Sequence, residues 1–100
     1  MIRININYQD NYIEKITLRG HANYSEYGTD IVCAATSATY LTTINAILSI
    51  NEKSIEVLSE KDKETISVLL KDEIVNKLLE NMIRCLKSLE QKYPNNIKIN

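Results

Sequence analysis

Tryptophan and phenylalanine are absent from the 100 residues, and six tyrosines supply all the aromatic content. Tyr8, Tyr12, Tyr24, Tyr27, Tyr40 and Tyr93 are not spaced as a base-stacking platform and have no basic residues woven between them, which argues against recognition of single-stranded nucleic acid. Excess basic charge is missing too. Twelve Lys and Arg face thirteen Asp and Glu, for a net charge of −1. A protein that holds nucleic acid by neutralising phosphates usually carries a basic surplus, so no direct nucleic-acid partner is expected. The N-terminal Met1-Ile2-Arg3-Ile4-Asn5-Ile6 alternates rather than forming the apolar run of a signal peptide. No stretch reads as the ~18 continuous apolar residues that cross a bilayer, so no membrane partner is expected. Cysteine and histidine are scarce: Cys33, Cys85 and His21 are all there is. They lack the paired CxxC or HxxxH spacing of structural zinc, and no metal or other cofactor is expected. The two cysteines fall in separate helical segments of an unsignalled chain, so free thiols and a cytoplasmic location are expected.

What is present is ordinary globular chemistry. A hydrophobic fraction of 44% and a charged fraction of 25% suit a folded chain. A chain this long forms one domain that buries roughly two thirds of its unfolded surface. One domain over residues 1–100 is expected, without repeats or linkers.

Residues 2–8 alternate, with Ile2, Ile4, Ile6 and Tyr8 on one face of a strand. Gln9-Asp10-Asn11 is a turn, because Asp and Asn tolerate a left-handed backbone. Residues 12–19 return with Ile16 and Leu18 inward, closing a hairpin. Ala22 to Thr29 has no useful periodicity and reads as a loop. Asp30 then caps a helix to about Ile50, its carboxylate accepting unpaired first-turn amides. Tyr40, Leu41, Ile44, Ile47 and Leu48 form that helix's apolar stripe. A second hairpin is expected over 54–59 and 64–70, joined at Glu60-Lys61-Asp62-Lys63. Its charges, with Glu64, read as solvated turn residues. Asp72 caps a second helix to about Tyr93. Ile74, Val75, Leu78, Leu79, Met82, Ile83, Leu86 and Leu89 give it one wide buried face, and Cys85 is expected in the core. Pro94 stops it, and Ile97 and Ile99 suit a last short strand. The order β-β-α-β-β-α-β predicts an α+β sandwich, a largely antiparallel sheet with two helices on one face.

One segment carries chemistry: Gly20-His21-Ala22, a short loop, then Gly28-Thr29-Asp30-Ile31-Val32-Cys33-Ala34-Ala35-Thr36-Ser37. With Asp30 as N-cap, Cys33 takes the third helical position, where amides and the helix dipole favour a thiolate. Ala34 and Ala35 are small enough to admit a substrate backbone. His21 lies twelve residues earlier at a strand end, so both side chains can reach one edge of the sheet. A nucleophile and its base need that proximity. Taken by themselves, a cysteine among alanines is more often a small buried hydrophobe, and a lone histidine a surface residue. Spacing alone leaves both readings open.

The same residues resemble the signature of the Prp family of ribosomal-processing cysteine proteases. GHA at 20–22, Gly28, DIVCAA at 30–35 and Ser37 carry the likeness, and the His-to-Cys spacing, chain length and element order agree with it. Asn23 stands where members often have Gly; Asn tolerates positive φ better than most other residues. The resemblance implies a cytoplasmic endopeptidase that removes a short N-terminal extension from a large-subunit ribosomal protein, cutting after paired phenylalanines, and that is typically a homodimer. It implies His21 and Cys33 as the catalytic pair and Asp30 and Ser37 as supporting motif positions. The loop over 22–29 corresponds to a mobile segment over the substrate, with Gly28 as a flexible end. Tyr24 and Tyr27 are candidates to wall a pocket for aromatic side chains. First-turn amides around Cys33 are the expected oxyanion donors. No Asn or Asp partner for His21 is legible, so a dyad is expected. The alternative of another class is a non-catalytic ribosome-associated binding module.

Overall fold

A computed structural model describes residues 1–100. Seven elements follow in order: β1 (Ile2–Gln9), β2 (Tyr12–Arg19), α1 (Ile31–Ile50), β3 (Ile55–Glu60), β4 (Lys63–Val68), α2 (Glu73–Lys92) and β5 (Ile97–Ile99). The strands form one sheet in the order β3-β4-β2-β1-β5. Every neighbouring pair is antiparallel except β1 with β5. Both helices cover one face, as the element order predicts, and a single apolar core lies between them and the sheet.

The first hairpin turns through Asp10 (φ 51°) and Asn11 (φ 67°). Two consecutive left-handed residues match the right-handed twist of the flanking strands. A bulge follows: Asn7 pairs with Lys15, but Tyr8 pairs with Ile13, so Glu14 has no opposite residue. The irregularity lets Ile13 join Ile16 and Leu18 in the core, although strict alternation would separate Ile13 from them. Tyr8, expected inward, is exposed.

Asp30 and Asp72 cap the helices as their residue types dictate. In α2, Val75, Leu79, Met82, Ile83 and Leu86 are buried. Ile74 and Cys85, both expected inside, are exposed. At 100° per residue, each lies about 100° or more from the middle of that stripe. In α1 the inward positions are Val32, Thr36, Tyr40, Ile44 and Ile47. Thr36 fits because its hydroxyl donates to the Val32 carbonyl at 2.8 Å. Leu41 and Leu48, read as part of the buried stripe, face out. With no charged side chain, α1 is long and apolar enough to cross a membrane by length and composition. That departs from the expectation based on continuous apolar runs, which its Thr and Ser residues interrupt. Here α1 packs its inner side into the core.

The second hairpin is shorter than expected. β4 stops at Val68, where the amides of Leu69 and Leu70 turn to the Ser54 carbonyl at 2.8 and 3.3 Å. Leu70 therefore lies beyond the strand and is exposed.

Candidate active site

The site begins where the β2–β4 ladder runs out. Arg19 pairs with Lys63, and one step further the Gly20 amide donates to the Asp62 carbonyl at 2.9 Å. Gly20 has φ +89°, and a Cβ there would meet the Met1 carbonyl oxygen at 2.7 Å. Only glycine satisfies both conditions. The chain leaves the sheet here and delivers His21.

Ala22 is fully buried and held from both sides. Its carbonyl accepts from Asn96 Nδ2 at 3.0 Å, and its amide donates to Cys33 Sγ at 3.3 Å. Asn23 takes φ 55°, the left-handed turn its residue type tolerates. The loop then returns to Asp30. One carboxylate oxygen of Asp30 accepts the amides of Tyr24 and Ser25 at 2.8 and 3.2 Å. The other accepts those of Val32 and Cys33 at 2.9 and 3.0 Å. Asp30 is only 8% exposed. Burial acts to raise its pKa, but amide bonds from Cys33, Ser25, Tyr24 and Val32 outweigh it and hold the carboxyl below its ordinary range.

Cys33 sits half-buried at the third position of α1. The helix start and the Ala22 amide both present positive ends of dipoles to its sulfur. It shares an open cleft of about 670 Å³ with His21. Asp30, Gly28, Ala34, Ser37 and Tyr27 also line this cleft. Gly28 is left-handed at φ +90° with open space around it. Tyr27 is 97% exposed at the rim. Tyr24 stands apart, its ring edge-on to Tyr93 at 5.3 Å. On the cleft wall, the Tyr40 hydroxyl donates to Glu64 at 3.1 Å. Burial, then the Glu64 charge and this bond, push the Tyr40 hydroxyl pKa well above the usual range.

Two expectations change. The amides of Val32 and Cys33 are committed to the Asp30 carboxylate, and that of Ala34 to the Asp30 carbonyl at 3.0 Å. These three first-turn amides are therefore engaged rather than open to an oxyanion. His21, for which no acidic neighbour was legible, places Nε2 2.7 Å from Asp62 Oδ1. Asp62 does occupy a turn, but it also faces the cleft. No spacing rule connects residues 41 apart; the pairing of β2 with β4 does.

Likeness to known proteins runs the length of the chain. The family model described as "Cysteine protease Prp" matches residues 1–98. The ribosomal processing cysteine protease Prp of Staphylococcus aureus is 29% identical over 104 residues, covering 100% of this chain and 98% of the relative. A crystal structure of S. aureus Prp with a covalently linked product peptide superposes with a TM-score of 0.95 at 28% identity, covering 100% of this chain and 98% of that one. A second S. aureus Prp structure, in complex with a substrate peptide, gives 0.88 at 27% identity with the same coverage. A single family thus accounts for both hairpins, both helices and the cleft between them, and the chain belongs to the Prp family of cysteine proteases.

Proposed function

We propose that the protein removes a short N-terminal extension from a large-subunit ribosomal protein, with Cys33 as nucleophile and His21 as its acid and base. The observation that carries this reading is the Cys33 thiol at a capped helix start, met by the Ala22 amide at 3.3 Å in the cleft that His21 also lines. The curated S. aureus relative is named for ribosomal processing, and solved S. aureus structures hold substrate and covalently linked product peptides.

In this scheme the Cys33 sulfur attacks the scissile carbonyl carbon while its proton passes to His21. His21 then gives the proton to the leaving amine as the C–N bond breaks, leaving a thioester on Cys33. Water, deprotonated by His21, releases the acyl product. Tyr27 at the rim offers an aromatic surface to substrate side chains. Ser37 follows Cys33 by one helical turn and brings a hydroxyl to the same face.

The same reading takes the protein as a cytoplasmic homodimer. Ile31, Ala34, Ala38, Leu41, Asn45 and Leu48 are exposed on α1. They recur at alternating steps of three and four, the seam along which helices pair.

The test is to incubate the protein with its own organism's precursor ribosomal protein and weigh the products. One cut near the precursor's N-terminus, absent with Cys33→Ala, is expected. An intact precursor, with a Cys33 thiol that alkylates no faster than free cysteine, would instead favour a non-catalytic ribosome-associated module.

A further inference from the structure

The Asp62 carboxylate lies 2.7 Å from His21 Nε2, with both side chains about half exposed. An ion pair this open to solvent adds little to stability, so the fold alone gives slight reason for it. Its geometry is nonetheless set by main chain at both ends. The Asp62 carbonyl holds the Gly20 amide at 2.9 Å, one residue before His21. Asp62 itself is left-handed at φ 60° in the turn between β3 and β4. The β2–β4 register therefore presents the carboxylate to the ring, and both groups line the cleft that holds Cys33.

We infer that Asp62 is a positioning residue for the reaction, fixing the His21 ring so that Nδ1 is the nitrogen that exchanges a proton with Cys33. This rests on the proposed role of His21 as base. An ionised carboxylate only accepts hydrogen bonds, so Nε2 carries the proton facing Asp62. In the neutral ring Nδ1 is then bare and can accept. During acylation the thiol proton moves to Nδ1 and onward to the leaving nitrogen. Asp62 keeps its bond to Nε2–H throughout and acts on the reaction through His21.

Two substitutions separate this role from a structural one, because both Gly and Asn suit a left-handed backbone. Asp62→Gly removes the acceptor, and Asp62→Asn keeps one oxygen for Nε2–H. On a peptide spanning the cleavage junction, Asp62→Gly is expected to lower kcat about ten- to a hundredfold, the worth of one charge-assisted hydrogen bond. KM and melting temperature should stay near wild type. Asp62→Asn should recover most of the rate. His21 is the only histidine, so its proton couplings can be read directly by NMR. They should report one χ1 rotamer in wild type and Asp62→Asn, and averaging in Asp62→Gly. An Asp62→Gly protein as fast as wild type or faster, an Asn variant as slow as Gly, or couplings unaffected by Gly would each overturn the inference. A wild-type protein that cleaves nothing would count against the protease reading instead, while the couplings would still decide whether Asp62 positions His21.

Discussion

Asp30 accepts the main-chain amide of Cys33 at 3.0 Å with one carboxylate oxygen, and its other oxygen holds the loop whose Ala22 amide meets the thiol. A single side chain thereby sets the helix start and the loop. The nucleophile's position depends on both.

Replacing Asp30 should show this double role. Asn can offer its oxygen to Val32 and Cys33, but its NH2 then confronts the donors of Tyr24 and Ser25. Melting temperatures should fall in the order wild type, Asp30→Asn, Asp30→Ala, with cleavage falling in the same order. A depressed carboxyl pKa in the folded state gives stability that is full above the unfolded value of about 3.9 and is lost as pH falls through the folded value. The gap between wild type and Asp30→Asn should therefore narrow on acidification below about pH 4. Unfolding curves from pH 7 to pH 3 measure it, and a constant gap would contradict the assignment.

The two thiols should separate cleanly. Cys85 is exposed on α2 and does not line the cleft, so Cys85→Ser should change stability by no more than about 0.5 kcal/mol and leave cleavage intact. Cys33→Ser should fold normally and lose cleavage. Alkylation followed by peptide mass mapping should tie loss of activity to modification of Cys33 alone.

Glycine matters for different reasons at its two positions. Gly20→Ala meets both a left-handed backbone and a carbonyl oxygen at 2.7 Å, whereas Gly28→Ala meets only the backbone penalty. Denaturant unfolding should find Gly28→Ala weakened by about 1–2 kcal/mol. Gly20→Ala should lose more and lower cleavage too, because the displaced turn carries His21. Equal losses would show that the contact with Met1 yields at no cost.

Hydrogen exchange should divide the loop over 22–29. The amides of Ala22, Tyr24 and Ser25 already have partners in the free protein and should exchange slowly. Tyr27 and Gly28, exposed at the rim, should exchange fast and become protected when a peptide binds. Uniformly fast exchange across the loop would argue that the Asp30 tether is absent in solution.

The order of elements, both helix caps and the place of Cys33 at a helix start are legible in the amino-acid sequence. Those features depend on residues a few positions apart: Asp30 on the amides of Val32 and Cys33, and Val75, Leu79, Met82 and Leu86 on helical spacing. Legibility stopped where one residue serves two partners or where exposure depends on neighbours. Leu41, Leu48, Ile74 and Cys85 are apolar or nearly so, yet only the packing of α1 and α2 on the sheet decides which sides they show. The second oxygen of Asp30 takes the amides of Tyr24 and Ser25 only because the loop folds back on it. His21 and Asp62 are 41 residues apart and meet because β4 pairs with β2. Strand order is set by the global competition to bury apolar faces, and no local rule about spacing, capping or turn residues contains it.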